Sequence, residues 1–381
     1  MNALLNTDPV AAVLSITAPD HIRALAPYVG GKPISEVARE FGLDESTIVK
    51  LASNENPLGM PDSARQAMID AFAELSRYPD DNAYDLRRVL SERLGVAPEA
   101  IMLGSGSSDV LYSAALAFAG RGTSVVFSQF AFVVYPLATQ KIGARAIVVP
   151  ATSDLGHDLD AMLAAIEPDT RLIYVANPTN PTGNFIDPGQ LQAFFAKVPG
   201  NVVVVLDEAY TEFLPLEIRY NAVEWLARFP NLVISRTFSK AFGLAGLRIG
   251  YGVGAPALID LMNRVRAAFN VNSMAQAAAI AALADEAFLQ RSYEVNLAGY
   301  AQLTAGFERL GIDYNPSRGN FVLFRAGNDD GAGARVNLEL LKRGVIVRPV
   351  GNYGLPQWLR VSIGLPEENA AFLAALEAIL S

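Results

Sequence analysis

A lysine sits inside RTFSKAFGLAGLRIG, Arg236 to Gly250, between a hydroxyl-bearing TFS and a run of small and apolar residues. An ammonium group resists leaving water, so Lys240 either snorkels to the surface or is held uncharged. A desolvated amine with a lowered pKa is the reagent that Schiff-base chemistry with a carbonyl requires. Other chemistry-bearing residues recur at the ends of apolar runs. LGSGSSDVLYSAALAF opens a helix after a glycine-serine turn. There Ser107 and Ser108 either present hydroxyls and N–H groups to an anion or form an ordinary N-cap before Asp109. NVVVVLDEAY ends a strand with Asp207, followed three positions later by Tyr210. An acid there either holds a proton on a heterocyclic nitrogen or begins a turn. In NPTNPTG, Asn180 precedes Pro181, which holds its backbone extended. TFSK places Thr237, Ser239 and Lys240 at another strand end, with Arg248 eight residues beyond the lysine. Hydroxyls and a guanidinium around one lysine suit a phosphate beside a Schiff base.

These groups need a frame that brings strand ends together. TSVVFS, RAIVVP, RLIYVAN, NVVVVLDEAY and NLVISRTFS read as strands buried on both faces. DVLYSAALAFAG, DLDAMLAAIE and PGQLQAFFAKV read as helices between them. Apolar strands alternating with helices predict an α/β domain, a mostly parallel sheet covered on both sides. Ligands of such sheets bind beyond the carboxyl ends of the strands, where the candidate residues lie. From SMAQ to FERLG, residues 273 to 311, the chain reads as one long helix, straight or bent. Short strands in GNFVLFRA, GVIVRPV and WLRVSIG and a closing helix, EENAAFLAALEAIL, then predict a smaller α+β domain. The expected division is a large domain over 53–272 and a small one from 1–52 with 273–381.

Composition narrows the chemistry. The 381 residues are 51% hydrophobic and 18% charged, which describes a soluble globular protein with room for two cores. A net charge of -9 and the lack of a basic cluster argue against a nucleic-acid partner. Cysteine is absent, which removes disulfides, thiolate metal sites and cysteine nucleophiles. His21 and His157 are the only histidines, too few for a histidine-rich metal site, and each is expected at the surface or a helix end. No run approaches the ~18 apolar residues that span a bilayer. MNALLNTDPVAAV lacks the basic start and apolar stretch of a signal peptide, so a cytoplasmic location is expected.

The ordered set GSGSSD, NPTNPTG, DEAY and SKAFGLAGLR resembles the fold-type I, pyridoxal-phosphate-dependent aminotransferases. Within them, LASNENPLG, RYPD, RTFSKAFGLAGLRIGY and VIVRPVGNYGLPQWLRVSIGLPEEN resemble the histidinol-phosphate aminotransferase family. The likeness runs roughly from Pro19 to Asn369. It implies that Lys240 forms the Schiff base with pyridoxal 5'-phosphate and later shuttles a proton. Asp207 would pair with the protonated pyridine nitrogen and support the electron sink. Asn180 and Tyr210 would hydrogen-bond the phenolic oxygen. Ser107, Ser108, Thr237, Ser239 and Arg248 would cradle the phosphate. Phe132, in FSQFAFVVYPL, takes the ring-stacking position where many relatives have tyrosine. Tyr78 of RYPD would reach the phosphate of the neighbouring subunit, which implies a homodimer. Arg360, in WLRVSIG, resembles the clamp for a substrate carboxylate, with Arg348, in VIVRPV, as a second anion contact. Tyr28 and Asn54 are further substrate contacts by the same resemblance.

The implied activity is ping-pong transamination between an amino donor, histidinol phosphate, and a 2-oxo acid acceptor, 2-oxoglutarate. Two arginines suit glutamate, with two carboxylates, and then a phosphorylated amine. The chain departs from the family pattern at GSGSSD, where asparagine is frequent in the glycine-serine turn, at NPTNPTG, which carries a threonine where many have asparagine, and at RVRAAFNVN, where a glutamine-proline pair is common. These departures leave an aromatic-amino-acid aminotransferase open. A decarboxylase on the same scaffold and a non-catalytic binding module are the remaining alternatives. The second would have to explain why Lys240 is present.

Overall fold

The computed structural model describes residues 18–25 and 30–380. Strands β1 (Val49–Lys50), β2 (Ile101–Gly104), β3 (Ser124–Ser128), β4 (Arg145–Val149), β5 (Thr170–Ala176), β6 (Val203–Asp207), β7 (Leu232–Thr237) and β8 (Gly250–Gly254) come first along the chain. All but β1 form one seven-stranded sheet in the order β2-β8-β7-β6-β5-β3-β4. The pairs β4–β3, β3–β5, β5–β6 and β6–β7 are parallel, whereas β8 runs antiparallel to both β7 and β2. The five apolar runs read from the sequence are β3 to β7. Four are buried on both faces, as their lack of polar alternation requires. The fifth, β4, is the sheet edge. Arg145, Ala146 and Val148 are exposed there, and Arg145 is tied to Glu167 and Asp169. A charged, ion-paired edge strand resists pairing with another chain.

Strands β2 and β8 were not expected. IMLG is short, and GYGVG carries glycine at every second position, which erases the β-branched signal of a strand. The glycines have a steric reason. A Cβ on Gly250 would collide with the Ser107 amide nitrogen, and one on Gly252 would sit 2.8 Å from Val110. The helix Ser107–Phe118 therefore lies directly on β8, which fixes its N-terminus against the strand ends.

The stretch from 273 to 310 is two helices, Ser273–Ala284 and Glu286–Leu310. The break is at Asp285, whose carboxylate caps the second helix by accepting from the Phe288 amide at 3.0 Å. Ala275, Ala278, Ala279 and Ala282 of the first helix are buried in the core of the large sheet. A boundary after 272 assigns this helix to the small domain, whereas its apolar face belongs to the other core. Beyond it, β9 (Tyr314–Asn315), β10 (Phe321–Arg325), β12 (Arg348–Pro349) and β13 (Trp358–Ser362) form an antiparallel sheet in the order β12-β13-β10-β9. β11 (Val345–Ile346) pairs with β1 in parallel. The closing helix, Pro366–Leu380, covers this second core with Phe372, Leu373 and Leu376.

Candidate active site

Strands β5, β6 and β7 end side by side, Ala176 opposite Asp207 and Asp207 opposite Ser235, so their next residues open on one side of the sheet. The cavity there is lined by Ser107, Ser108, Phe132, Asn180, Asp207, Tyr210, Thr237, Ser239, Lys240 and Arg248. Ala176, Pro178 and Ala209 complete it. Every residue that the resemblance assigned to the cofactor, Tyr78 excepted, is therefore in one cavity.

At one end lies an anion cradle. The helix Ser107–Phe118 starts after Gly106 with no side chain capping it, so its first amides and the hydroxyls of Ser107 and Ser108 are not used in a cap. Gly106 has φ 82°, and a Cβ on it would sit 2.6 Å from Nη2 of Arg248. Only glycine lets the guanidinium approach the turn this closely. Arg248 itself has φ 54° and donates to Ser239 Oγ at 3.4 Å and to the Ala245 carbonyl at 3.0 Å. Thr237 Oγ1 accepts from the Ser239 amide at 3.1 Å. Asp109 is turned to structure. It accepts from the Ser105 amide and from Asn270, closing the loop from behind.

At the other end is the acid. Asp207 is buried, and its Oδ2 accepts from the Tyr135 hydroxyl at 2.9 Å, while its buried Oδ1 makes no hydrogen bond. Burial pushes the carboxyl up to about 6, against the Tyr135 hydroxyl and the nearby Ala209 amide, which favour the charged form. Tyr135 was missed by sequence reading. It lies three residues after Phe132 in FAFVVYPL, in the first turn of the helix Val134–Lys141.

Between the two ends, Lys240 Nζ donates to the Ser53 carbonyl at 3.0 Å and lies 5.9 Å from the Tyr210 ring centroid. Burial lowers its amine to about 7, with Arg360 and Arg248 adding to the effect and Glu55 and Asp207 opposing it. The amine is thus neutral in a good fraction at neutral pH, as a nucleophile for a carbonyl must be. The Tyr210 hydroxyl accepts from Asn54 Nδ2 at 3.0 Å and from Asn180 Nδ2 at 3.1 Å. Its own proton remains for a further acceptor. Burial raises the Tyr210 phenol to about 12.

The second core contributes Arg360, which is buried in β13. It donates to Asn180 Oδ1 and, at 2.8 Å, to the Ala52 carbonyl. Asn54 sits at φ 55°, held by the Ser362 hydroxyl at its amide and by Asn320 at its carbonyl. These bonds run between the two cores at the edge of the cavity. Arg348 stands directly across from Arg360 in the β12–β13 register, yet it lines a neighbouring groove with Gly30, Gly31 and Lys32. Tyr78 is 82% exposed, stacks on Phe269 at 4.6 Å, and is not part of the cavity. Tyr28 lies outside the described residues. His157, expected at a surface or helix end, immediately precedes the cap residue of the helix Leu159–Ala164 but is buried. Its Nε2 accepts from the Ala176 amide, and burial lowers it to about 4, so it is a neutral support under β5.

This arrangement can hold an anion at a helix start, oppose a carboxylate to a protonated ring nitrogen, and present a neutral amine between them. Comparison with known proteins agrees. Residues 46–376 match the family described as aminotransferase class I and II. A histidinol-phosphate aminotransferase 1 of Cupriavidus pinatubonensis is 64% identical over 362 residues, 95% of this chain and 96% of that protein. A histidinol-phosphate aminotransferase 2 of Ralstonia nicotianae is also 64% identical, over 95% of this chain and 97% of its own length. Among solved structures, the histidinol-phosphate aminotransferase of Sinorhizobium meliloti, in complex with pyridoxal-5'-phosphate, superposes with a TM-score of 0.88. It is 30% identical and covers 96% of this chain and 98% of its own. The chain belongs to the class I and II aminotransferases.

Proposed function

We propose that this protein is a pyridoxal 5'-phosphate enzyme that transfers the amino group of histidinol phosphate to 2-oxoglutarate by a ping-pong route, as in histidine biosynthesis. The observation that carries the reading is the meeting, in one cavity, of a desolvated Lys240, an acid with one oxygen uncommitted and an anion cradle at a helix start. The curated relatives at 64% identity, covered almost end to end, supply the substrate.

The residues present fit the cofactor. Asp207 Oδ1 is a buried acceptor without a partner, a costly arrangement unless a ligand N–H completes it. Ser107, Ser108, Thr237, Ser239 and Arg248 would hold its phosphate, Phe132 would stack on its ring, and Lys240 would carry it covalently. When bound, the cofactor supplies the electron sink that makes a Cα–H bond of the amino substrate acidic. Lys240, its amine lowered to about 7, accepts that proton in its neutral form and returns it. Asp207 keeps a proton on the ring nitrogen, and Tyr210, oriented by Asn54 and Asn180, donates to the phenolic oxygen. Arg360 receives the substrate's anionic group, with Arg348 on the same face of the small sheet as second cation. Tyr28 and Asn54 complete the substrate side in this reading.

The protein acts as a homodimer in the cytoplasm. Support for the dimer comes from exposed Ile69, Phe72, Leu75 and the stacked pair Tyr78 and Phe269, large apolar side chains that a lone subunit leaves in water. Among the described residues no helix is long and apolar enough to cross a membrane. The large domain runs from about residue 53 and the small one resumes within the helix Glu286–Leu310, with residues 30–52 joined to it through β1. The test is glutamate formation from 2-oxoglutarate with histidinol phosphate as donor. Parallel lines in double-reciprocal plots support the ping-pong route, and absence of glutamate contradicts the assigned substrates.

A further inference from the structure

Tyr135 is fully buried beneath the cavity, and its hydroxyl has one polar contact, Asp207 Oδ2 at 2.9 Å. The ring is held by two aromatic neighbours. It stacks on Tyr174 with centroids 4.5 Å apart and planes 4° from parallel, and Phe132 meets its edge at 5.9 Å and 87°. Tyr174 is itself anchored, donating from its hydroxyl to the Leu111 carbonyl at 2.7 Å. A phenol held this rigidly cannot follow a wandering carboxylate. It dictates where the carboxylate sits.

We infer that Tyr135 is a positioning residue for the cofactor: by occupying Oδ2 of Asp207 it fixes the carboxylate plane and reserves Oδ1 for the ring nitrogen. The inference rests on the reading of Asp207 as the partner of that nitrogen. A carboxylate has two equivalent oxygens and, unheld, offers either one in a range of orientations. The electrostatics point the same way. Burial alone favours protonated Asp207, which would donate where it should accept, and the Tyr135 hydroxyl opposes that. Burial and the Asp207 charge together push the Tyr135 phenol well above its ordinary value, so it stays a donor. Stacking alone would be served equally well by phenylalanine, and the hydroxyl is what a packing role leaves unexplained.

The test is a double-mutant cycle on the intact protein with Tyr135→Phe and Asp207→Asn. The readouts are the affinity of the cofactor-free protein for pyridoxal phosphate and, after loading, kcat and KM for the amino donor. Tyr135→Phe is expected to weaken cofactor binding and lower kcat by about tenfold, the value of a hydrogen bond to a charged group, with KM little changed. In the Asp207→Asn background it is expected to cost nothing further. Equal losses in both backgrounds overturn the proposal, because a packing defect is additive. No loss in either background, with Asp207→Asn itself severe, also overturns it. If Asp207→Asn alone leaves binding and turnover intact, the underlying reading of Asp207 has failed instead. Should Tyr135→Phe not fold, Tyr135→His, which retains a ring N–H, takes its place. Coupling to Asp207 then supports the proposal and additivity contradicts it.

Discussion

The two halves of the proposed site, for cofactor and for substrate, are built differently. The cofactor residues come from consecutive strand ends of one sheet and the helix seated on it, and they line a single cavity. The substrate residues are dispersed. Arg360 donates to Asn180 of the cavity from the second core, and Arg348 lines the next groove. The groups proposed for the phosphorylated amine and the dicarboxylate come instead from two strands of the second core, β12 and β13.

The largest effect that sharpens this contrast is expected at Lys240. Lys240→Ala should lower turnover by about a thousandfold or more, since it removes the proton carrier. The cofactor should still bind through the phosphate cradle, detected as its absorbance co-eluting with the protein. Loss of both would mean that the cradle is not independent of the lysine.

Next comes Arg360, the link between the halves. Arg360→Met should reduce kcat/KM for the amino donor on the order of a hundredfold, as truncating a buried charged contact does. It should also raise the pKa of Lys240 from about 7, because Arg360 is the second cause of its depression after burial. Amine modification rates of the cofactor-free protein against pH would show the midpoint moving up. The sign of the stability dependence follows. Folded Lys240 sheds its proton near 7, whereas the unfolded chain keeps it to 10.5, so the stability of the cofactor-free protein should rise with pH across that window. Melting curves of the parent and Lys240→Met over the same range should converge as the pH rises.

Smaller effects test the frame. Gly250→Ala drives a methyl into the Ser107 amide and should destabilise the protein by about 1–3 kcal/mol. Cofactor affinity should fall with it, since the same amide belongs to the cradle; a stability loss without an affinity loss would separate frame from site. Tyr78→Phe should change the melting temperature least, because an exposed residue contributes within about 0.5 kcal/mol. A fall in cofactor affinity in the dimer would support the partner contact, and unchanged affinity would remove it.

Much of this contrast was legible in the sequence. The β5, β6 and β7 runs are mostly apolar, without polar alternation, and lead into Asn, Asp and Thr-Phe-Ser-Lys, so both the sheet and its ligand edge could be read. GYGVG could not, because its glycines are dictated by a helix packed on them and not by strand propensity. Asp285 was readable as a cap but lies within an unbroken helical composition, which hid the division of that segment. Tyr135 and Arg348 show the deeper limit. Which polar group a buried tyrosine meets, and which of two neighbouring grooves an arginine enters, are tertiary facts with no local periodicity.

The central claim is that the cofactor held in this cavity takes its amino group from histidinol phosphate. The direct measurement is a single half-reaction, mixing the cofactor-loaded protein with histidinol phosphate or with phenylalanine in the absence of any 2-oxo acid. Cofactor absorbance reports the transfer. The account predicts much faster conversion by histidinol phosphate, and conversion led by phenylalanine, or by neither, would contradict it.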